Sequence, residues 1–203
     1  MHRLLGRVLR ERDHAEGRCA DTVEAALDLL EPRLFDVDRA WPMREAGTHL
    51  VAQIAAVWSV ISQADGVSQE LLLRGLAARS WAVWQLHATT DDSRTLDLAA
   101  DTAADSERIV GTDHPQTLLA RYHLAHAYQS ADRQREAADL LDQTLADGKR
   151  VLAPGDPLLL DLRTHEVNHH RYDQNGLANW QMVELLDQIV TDADARLAQA
   201  THT

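Results

Sequence analysis

Apolar positions along the middle of the chain follow a helical period. In QTLLARYHLAHAYQ (116–129), Leu118, Leu124, Ala125 and Tyr128 fall on one face; in REAADLLDQTLADGKRVL (135–152), Ala137, Leu141, Thr144 and Leu145 do the same. The polar run SADRQ (130–134) breaks the first segment, and APGDP (153–157) ends the second. Pro115 and Pro157 suit a first helical turn, where the missing N–H has no partner to lose. Small residues at the predicted crossing, Ala125 and Ala137, let two antiparallel helices approach closely.

This pair is one of a series. Sliding 93–115 forward by 42 residues onto 135–157 superposes Asp97 on Asp139, Leu98 on Leu140, Thr102 on Thr144, Ala104 on Ala146, Asp105 on Asp147, Arg108 on Arg150 and Pro115 on Pro157. The same step relates Arg79, Arg121 and Arg163, and Leu76, Leu118 and Leu160. Farther on, Glu184-Leu185-Leu186-Asp187-Gln188 echoes Asp139-Leu140-Leu141-Asp142-Gln143 with a three-residue slip, placed in the connection around 173–176. Upstream, 67–88 reads as the first helix of an earlier unit, with Ser68 as its N-cap. Segments 17–34 and 42–63 read as a helix pair without the repeat spacing, and 2–13 as one more amphipathic helix. The predicted organisation is an N-terminal helical segment, 1–63, followed by three helix pairs at about 67–110, 115–153 and 157–200 within 64–203. The fold class expected is all-α, a right-handed superhelix of antiparallel helix pairs.

Composition narrows the function. The formal net charge of −12 opposes nucleic acid as the main partner, because phosphate binding needs a net positive face. Basic charge is almost all arginine, Lys149 being the one lysine. Cys19 is the single cysteine, so no intrachain disulfide forms and a reducing, cytoplasmic setting is expected. Arg3, Arg7 and Arg10 interrupt the N-terminal segment before it reaches the length of a signal sequence, and no apolar run is long enough to span a membrane.

Arg121-x-x-Leu124-Ala125-x-x-Tyr128 followed by Ala137-x-x-x-Leu141 resembles the tetratricopeptide repeat pattern, with arginine in place of the leading aromatic residue. The 42-residue period and GTDHPQTL at 111–118 resemble the kinesin-light-chain-type variety, whose turn is G-x-D-H-P-x-T-L; 153–160 matches it loosely. MHRLLGRVLRER and FDVDRAWPMREAGTHLVAQ resemble the segment joining the winged-helix region to the repeats in actinobacterial NB-ARC (STAND) signalling ATPases. That resemblance implies the sensor portion of such a protein, since no G-x-x-x-x-G-K-[ST] phosphate loop is present.

In such a fold the first helix of each pair lines the concave face, where partners bind. The expected inner-face residues are Ser80, Trp84 and His87, then Tyr122, His126 and Gln129, then Thr164, Asn168 and Arg171. A peptide-binding groove is expected from Trp84, His87, Tyr122, His126, Gln129, Asn168 and Arg171, because exposed Trp and Tyr are costly without use. Trp81 is assigned instead to packing between units. No cofactor is expected; the partner is a protein or peptide, with a homo-oligomer as the other possibility because a short array leaves apolar ends.

One motif competes with this reading. His165-Glu166-x-x-His169 fits H-E-x-x-H, in which two histidines bind zinc and the glutamate is the base of a hydrolase. Repeat register weighs against it: His165 falls on His123, Glu166 on Leu124, His169 on Ala127 and His170 on Tyr128, so a histidine-rich first helix belongs to the repeat. Glu166 reads as the polar edge of a terminal unit. Asp113 and His114 in GTDHP read as linker, and Asp91, Asp92, Asp101 and Asp105 as a solvated face of second helices.

Overall fold

A computed structural model describes residues 19–64, 66–172 and 179–200. Its helices are α1 (Cys19–Leu30), α2 (Arg44–Ile61), α3 (Gln69–Ala88), α4 (Asp92–Val110), α5 (Pro115–Ser130), α6 (Gln134–Val151), α7 (Pro157–Tyr172) and α8 (Asn179–Ala200). Single 3-10 turns occupy Glu31–Arg33 and Val37–Arg39, and the described residues contain no strand. The all-α class read from periodicity is the class observed. Packing divides the chain into two compact units, 1–109 and 110–203.

In the first unit, α1, α2 and α3 share an apolar core. Leu30, Leu50, Val51 and Ile54 meet Ala78, Ala82 and Leu86 in one cluster; Val23, Leu27, Trp58 and Ile61 meet Leu71 and Leu76 in another. Gly75 permits this, since a Cβ there would lie 2.8 Å from Ile61 Cδ1 and 3.0 Å from the Trp58 ring. Trp81 fastens the connection after α1: its indole N–H donates to the Phe35 carbonyl at 2.8 Å, and its ring stands edge-on to Phe35. Arg74 closes the other side, donating to Asp28 at 2.6 Å and to Glu31 at 2.8 and 2.9 Å.

Helix starts and turns repeat between the units. Ser68 caps α3 by accepting from Leu71 N at 3.3 Å, as its position suggested. His114 Nδ1 caps α5 by accepting from Gln116 N at 3.1 Å, and one repeat later Asp156 Oδ1 accepts from Leu158 N at 2.9 Å. His114 and Asp156 each precede a proline at the helix start, where side chain and ring together satisfy or remove orphan N–H groups. The turn between α3 and α4 passes through Thr90 at φ 60°, and that between α5 and α6 through Asp132 at φ 59°.

Within each helix pair the leading arginine finds an aspartate on the second helix. In the first unit Arg79 Nη1 donates to Asp105 Oδ2 at 2.5 Å. In the second unit Arg121 Nη1 donates to Asp147 Oδ2 at 3.0 Å, and Arg163 pairs with Asp192. Asp105 is therefore not part of a freely solvated face: it is half-buried, because Arg79 and Arg108 both converge on it. Asp192 stands 45 residues after Asp147 while the arginines remain 42 apart, which fixes the three-residue slip between α7 and α8 by geometry. In the second unit Ala125, Leu141, Leu145, Leu159 and Leu162 form the core of α5, α6 and α7.

Candidate functional site

The site residues expected from the sequence fall in both units. In the first, Trp84 and His87 lie one helical turn apart on α3, half-buried, with rings stacked at 5.2 Å. Ser80 departs from expectation. It is 2% exposed, because α3 is enclosed around most of its circumference, with Arg79, Val83 and Gln85 also buried. A cleft of about 380 Å³ opens between α2, α3 and α4, floored by Val51, Ile54, Ala82 and Leu86 and rimmed by Arg79, Arg94, Asp97 and Asp101. Sequence reasoning missed it, because α2 lies outside the repeat spacing.

In the second unit α5 and α7 bring a ring-and-amide cluster together. Tyr122 and His126, one turn apart on α5, meet edge-to-face with centroids 4.6 Å apart. His126 lies 5.6 Å from the His165 ring on α7. Gln129 Nε2 donates to His165 Nε2 at 2.8 Å, the ring nitrogen accepting because an amide NH2 can only donate. All four residues are half-buried. Burial first, and then the negative charge of Asp161, push the Tyr122 hydroxyl up to about 12, so the phenol stays neutral and available as a donor near neutral pH.

Beside this cluster a small cleft of about 80 Å³ is lined by Gln129, Gln134, Asp142, His165 and Glu166 above Leu141, Leu145 and Leu162. Of its polar lining, Gln134 and Asp142 were missed by the sequence reading, since both sit on the second helix of the pair. His165, the first histidine of the H-E-x-x-H match, joins Gln129. Asn168, Arg171 and His169 have side chains outside the described residues, while Thr164 is exposed and donates to the Leu160 carbonyl at 2.8 Å.

Glu166 is placed differently from expectation. It does not mark an edge without neighbours: Lys149 Nζ of α6 lies 3.3 Å from each of its carboxylate oxygens. An acid at the position of Leu124 is thus accommodated by the one lysine of the chain. Among the described residues no group of three or more His, Cys, Asp and Glu comes together in a way that would hold a metal ion. Asp113 and His114 serve the repeat connection, the first pairing with Arg150 at 2.7 and 2.8 Å and the second capping α5. No described helix is long and apolar enough to cross a membrane.

Residues 117–158 match the tetratricopeptide repeat family. No curated protein matches the chain. Two crystal structures of kinesin-light-chain-type, nearly identical TPR-like repeats from Podosopora anserina are similar to it. One has a TM-score of 0.50 at 19% identity, covering 91% of each chain; the other, a substituted variant, has 0.52 at 18%, covering 96% of this chain and 94% of its own. At such identities the likeness speaks for the fold alone, and that fold is a tetratricopeptide-like series of helix pairs.

Proposed function

We propose that the chain is a non-catalytic module that binds a protein or peptide segment through the faces of its first helices, Trp84 and His87 in one unit and Tyr122, His126 and Gln129 in the other, with Asn168 and Arg171 continuing the surface. The observation that carries this reading is the Tyr122–His126–His165–Gln129 cluster. Rings held edge-to-face and an amide held by a ring nitrogen are pre-organised, so little side-chain freedom is lost when a peptide backbone hydrogen-bonds to them. Tetratricopeptide repeats as a class mediate protein–protein interaction, which supports the same conclusion. The three helix pairs at about 67–110, 115–153 and 157–200 act as the binding repeats, and 1–63 as the segment leading into them. On the resemblance of 1–60 to NB-ARC signalling ATPases, the module is a cytoplasmic sensor whose occupancy controls a nucleotide-driven switch.

The test is capture with immobilised protein from a lysate of the source cell, followed by quantitative mass spectrometry. A specific partner retained by wild type and lost with Tyr122→Ala plus Gln129→Ala, but kept with the exposed Asp139→Ala, is the expected result. Equal recovery on all three proteins would sink the assignment of this face.

A further inference from the structure

The cleft of about 80 Å³ beside the Tyr122 cluster is one-sided in its hydrogen bonding. Gln129 Nε2 donates to His165 Nε2 at 2.8 Å, and Gln134 Nε2 donates to the Gln129 carbonyl at 3.4 Å. Both amide nitrogens are engaged, so both amide oxygens remain as acceptors. The carboxylates of Asp142 and Glu166 add acceptors and, when ionised, no donor. Among the described residues no lysine or arginine lines the cleft. Its floor is aliphatic, made by the buried Leu141, Leu145 and Leu162.

The two acids differ. Glu166 is balanced by Lys149 at 3.3 Å, which stands outside the lining. Asp142 is exposed on α6 and has no ionic partner among the described residues. The lining therefore selects a positively charged donor on a short aliphatic stem. The volume agrees: at roughly 10–15 Å³ for each water-sized group, the cleft takes about five to eight of them. A lysine side chain, four methylenes and a nitrogen, falls in that range. The acceptors come from α5, α6 and α7, and this convergence from different directions suits the diverging N–H groups of an ammonium better than the flat fork of a guanidinium.

We propose that this cleft seats a lysine side chain of the bound partner segment. Its methylenes lie over Leu141, Leu145 and Leu162, and its ammonium reaches Asp142 and the amide oxygens. The proposal rests on the reading of the first-helix faces as peptide-binding and adds the chemistry of one anchor residue. Lys149, the one lysine of the sequence, is already engaged by Glu166, so the ammonium comes from a different protein.

The probes are three capped pentapeptides, two glycines on either side of lysine, arginine or norleucine, the last keeping the methylenes without the charge. Each is titrated against the full chain, and the backbone amide signals of Gln134, Asp142 and Glu166 are followed by ¹H–¹⁵N NMR. Wild type is expected to bind the lysine peptide about fivefold or more tightly than either of the others. Asp142→Asn should reduce the preference for lysine over norleucine to about twofold or less. Ala138 also lines the cleft, and Ala138→Leu fills it without altering a charge; the lysine peptide should weaken about tenfold.

Equal binding of lysine and norleucine peptides, or of lysine and arginine peptides, overturns the proposal. So does an unchanged affinity in Ala138→Leu, which would show only the general attraction of a chain of net charge −12 for cations. Binding of free n-butylammonium without binding of the lysine peptide would also overturn it, in favour of a small amine. Circular dichroism checks folding, and if Ala138→Leu unfolds, Asp142→Asn decides alone. Tyr122 does not line the cleft, so Tyr122→Ala should leave the lysine peptide's affinity unchanged. The capture experiment thus tests the wider face, and the titration tests the anchor.

Discussion

Arg121 and Asp147 form the same ion pair as Arg79 and Asp105 one repeat earlier, with arginine side chains 7% and 5% exposed. The facing aspartate offsets the desolvation of a guanidinium so enclosed. Asp147→Asn should therefore destabilise the protein by about 2–3 kcal/mol, since it removes the carboxylate charge that faces a buried guanidinium. Replacing both partners with leucine should return stability to within about 1 kcal/mol of wild type, because neither desolvated charge remains. Urea unfolding followed by circular dichroism measures both; a double variant as unstable as the single one would show that the pair acts through something other than burial of charge.

The first of these pairs predicts a pH dependence. Desolvation alone would raise the Asp105 carboxyl, but hydrogen bonds from Arg108 and Arg79 outweigh it and hold the group below its ordinary value. The native state thus gives up this proton more readily than the unfolded chain. The contribution to stability is complete above about pH 5 and is lost as pH falls below about 4 through the native value. The gap in unfolding free energy between wild type and Asp105→Asn should accordingly shrink from pH 7 to pH 3. A gap constant over that range would mean that the carboxylate's charge is not what the arginines recognise.

Backbone strain makes a separate prediction at the turns. Thr90 and Asp132 both hold a left-handed conformation, at φ 60° and 59°. Aspartate tolerates this region through local hydrogen bonding, whereas a β-branched residue crowds its own carbonyl. Thr90→Asn should stabilise by about 1 kcal/mol, and Asp132→Asn should change little. Differential scanning calorimetry would register the first as a raised midpoint; no rise would indicate that Thr90 relaxes out of this conformation in solution.

Two helical glycines should respond with opposite sign to alanine. At Gly75 a Cβ would press on Ile61 Cδ1 at 2.8 Å, so Gly75→Ala should destabilise by about 1–3 kcal/mol. At Gly148 the nearest atoms, of Leu159 and Leu162, stand at 3.5 Å, an ordinary contact. Gly148→Ala should then stabilise by about 0.5–1 kcal/mol through reduced backbone freedom in the unfolded chain. Its repeat counterparts, Ser106 and Ala193, already carry a Cβ. Denaturation midpoints of the two variants moving in the same direction would contradict the packing described for one of them.

Much of the fold was legible because the repeat is written in side chains that face the core. Of the two stripes read from the sequence, Leu118, Leu124, Ala125, Ala137, Leu141, Thr144 and Leu145 are buried, and Tyr128 is half-buried. The recurring Arg79, Arg121 and Arg163 were visible as a period, and Asp105 and Asp147 as an identity, but their pairing was not read. Each aspartate lies on the partner helix, and charge on a second helix looks like solvation until the helices are folded against one another. Trp81 fastens α3 to Phe35, a contact 46 residues back in sequence that no local pattern encodes. The site was less legible for the same reason. Tyr122, His126 and Gln129 were named from one helix, yet what organises them is His165 on another, and Lys149 answers Glu166 across two helices.

Lys149 has one further consequence. It carries the only side-chain amine in the sequence, and that amine sits on the α6–α7 ion pair with Glu166. Reductive ¹³C-methylation would therefore leave a single side-chain probe at this junction, retaining its positive charge. Its chemical shift would follow the two helices as they come apart or as a ligand settles against α7, giving an atomic reporter of that one seam without any substitution in the protein.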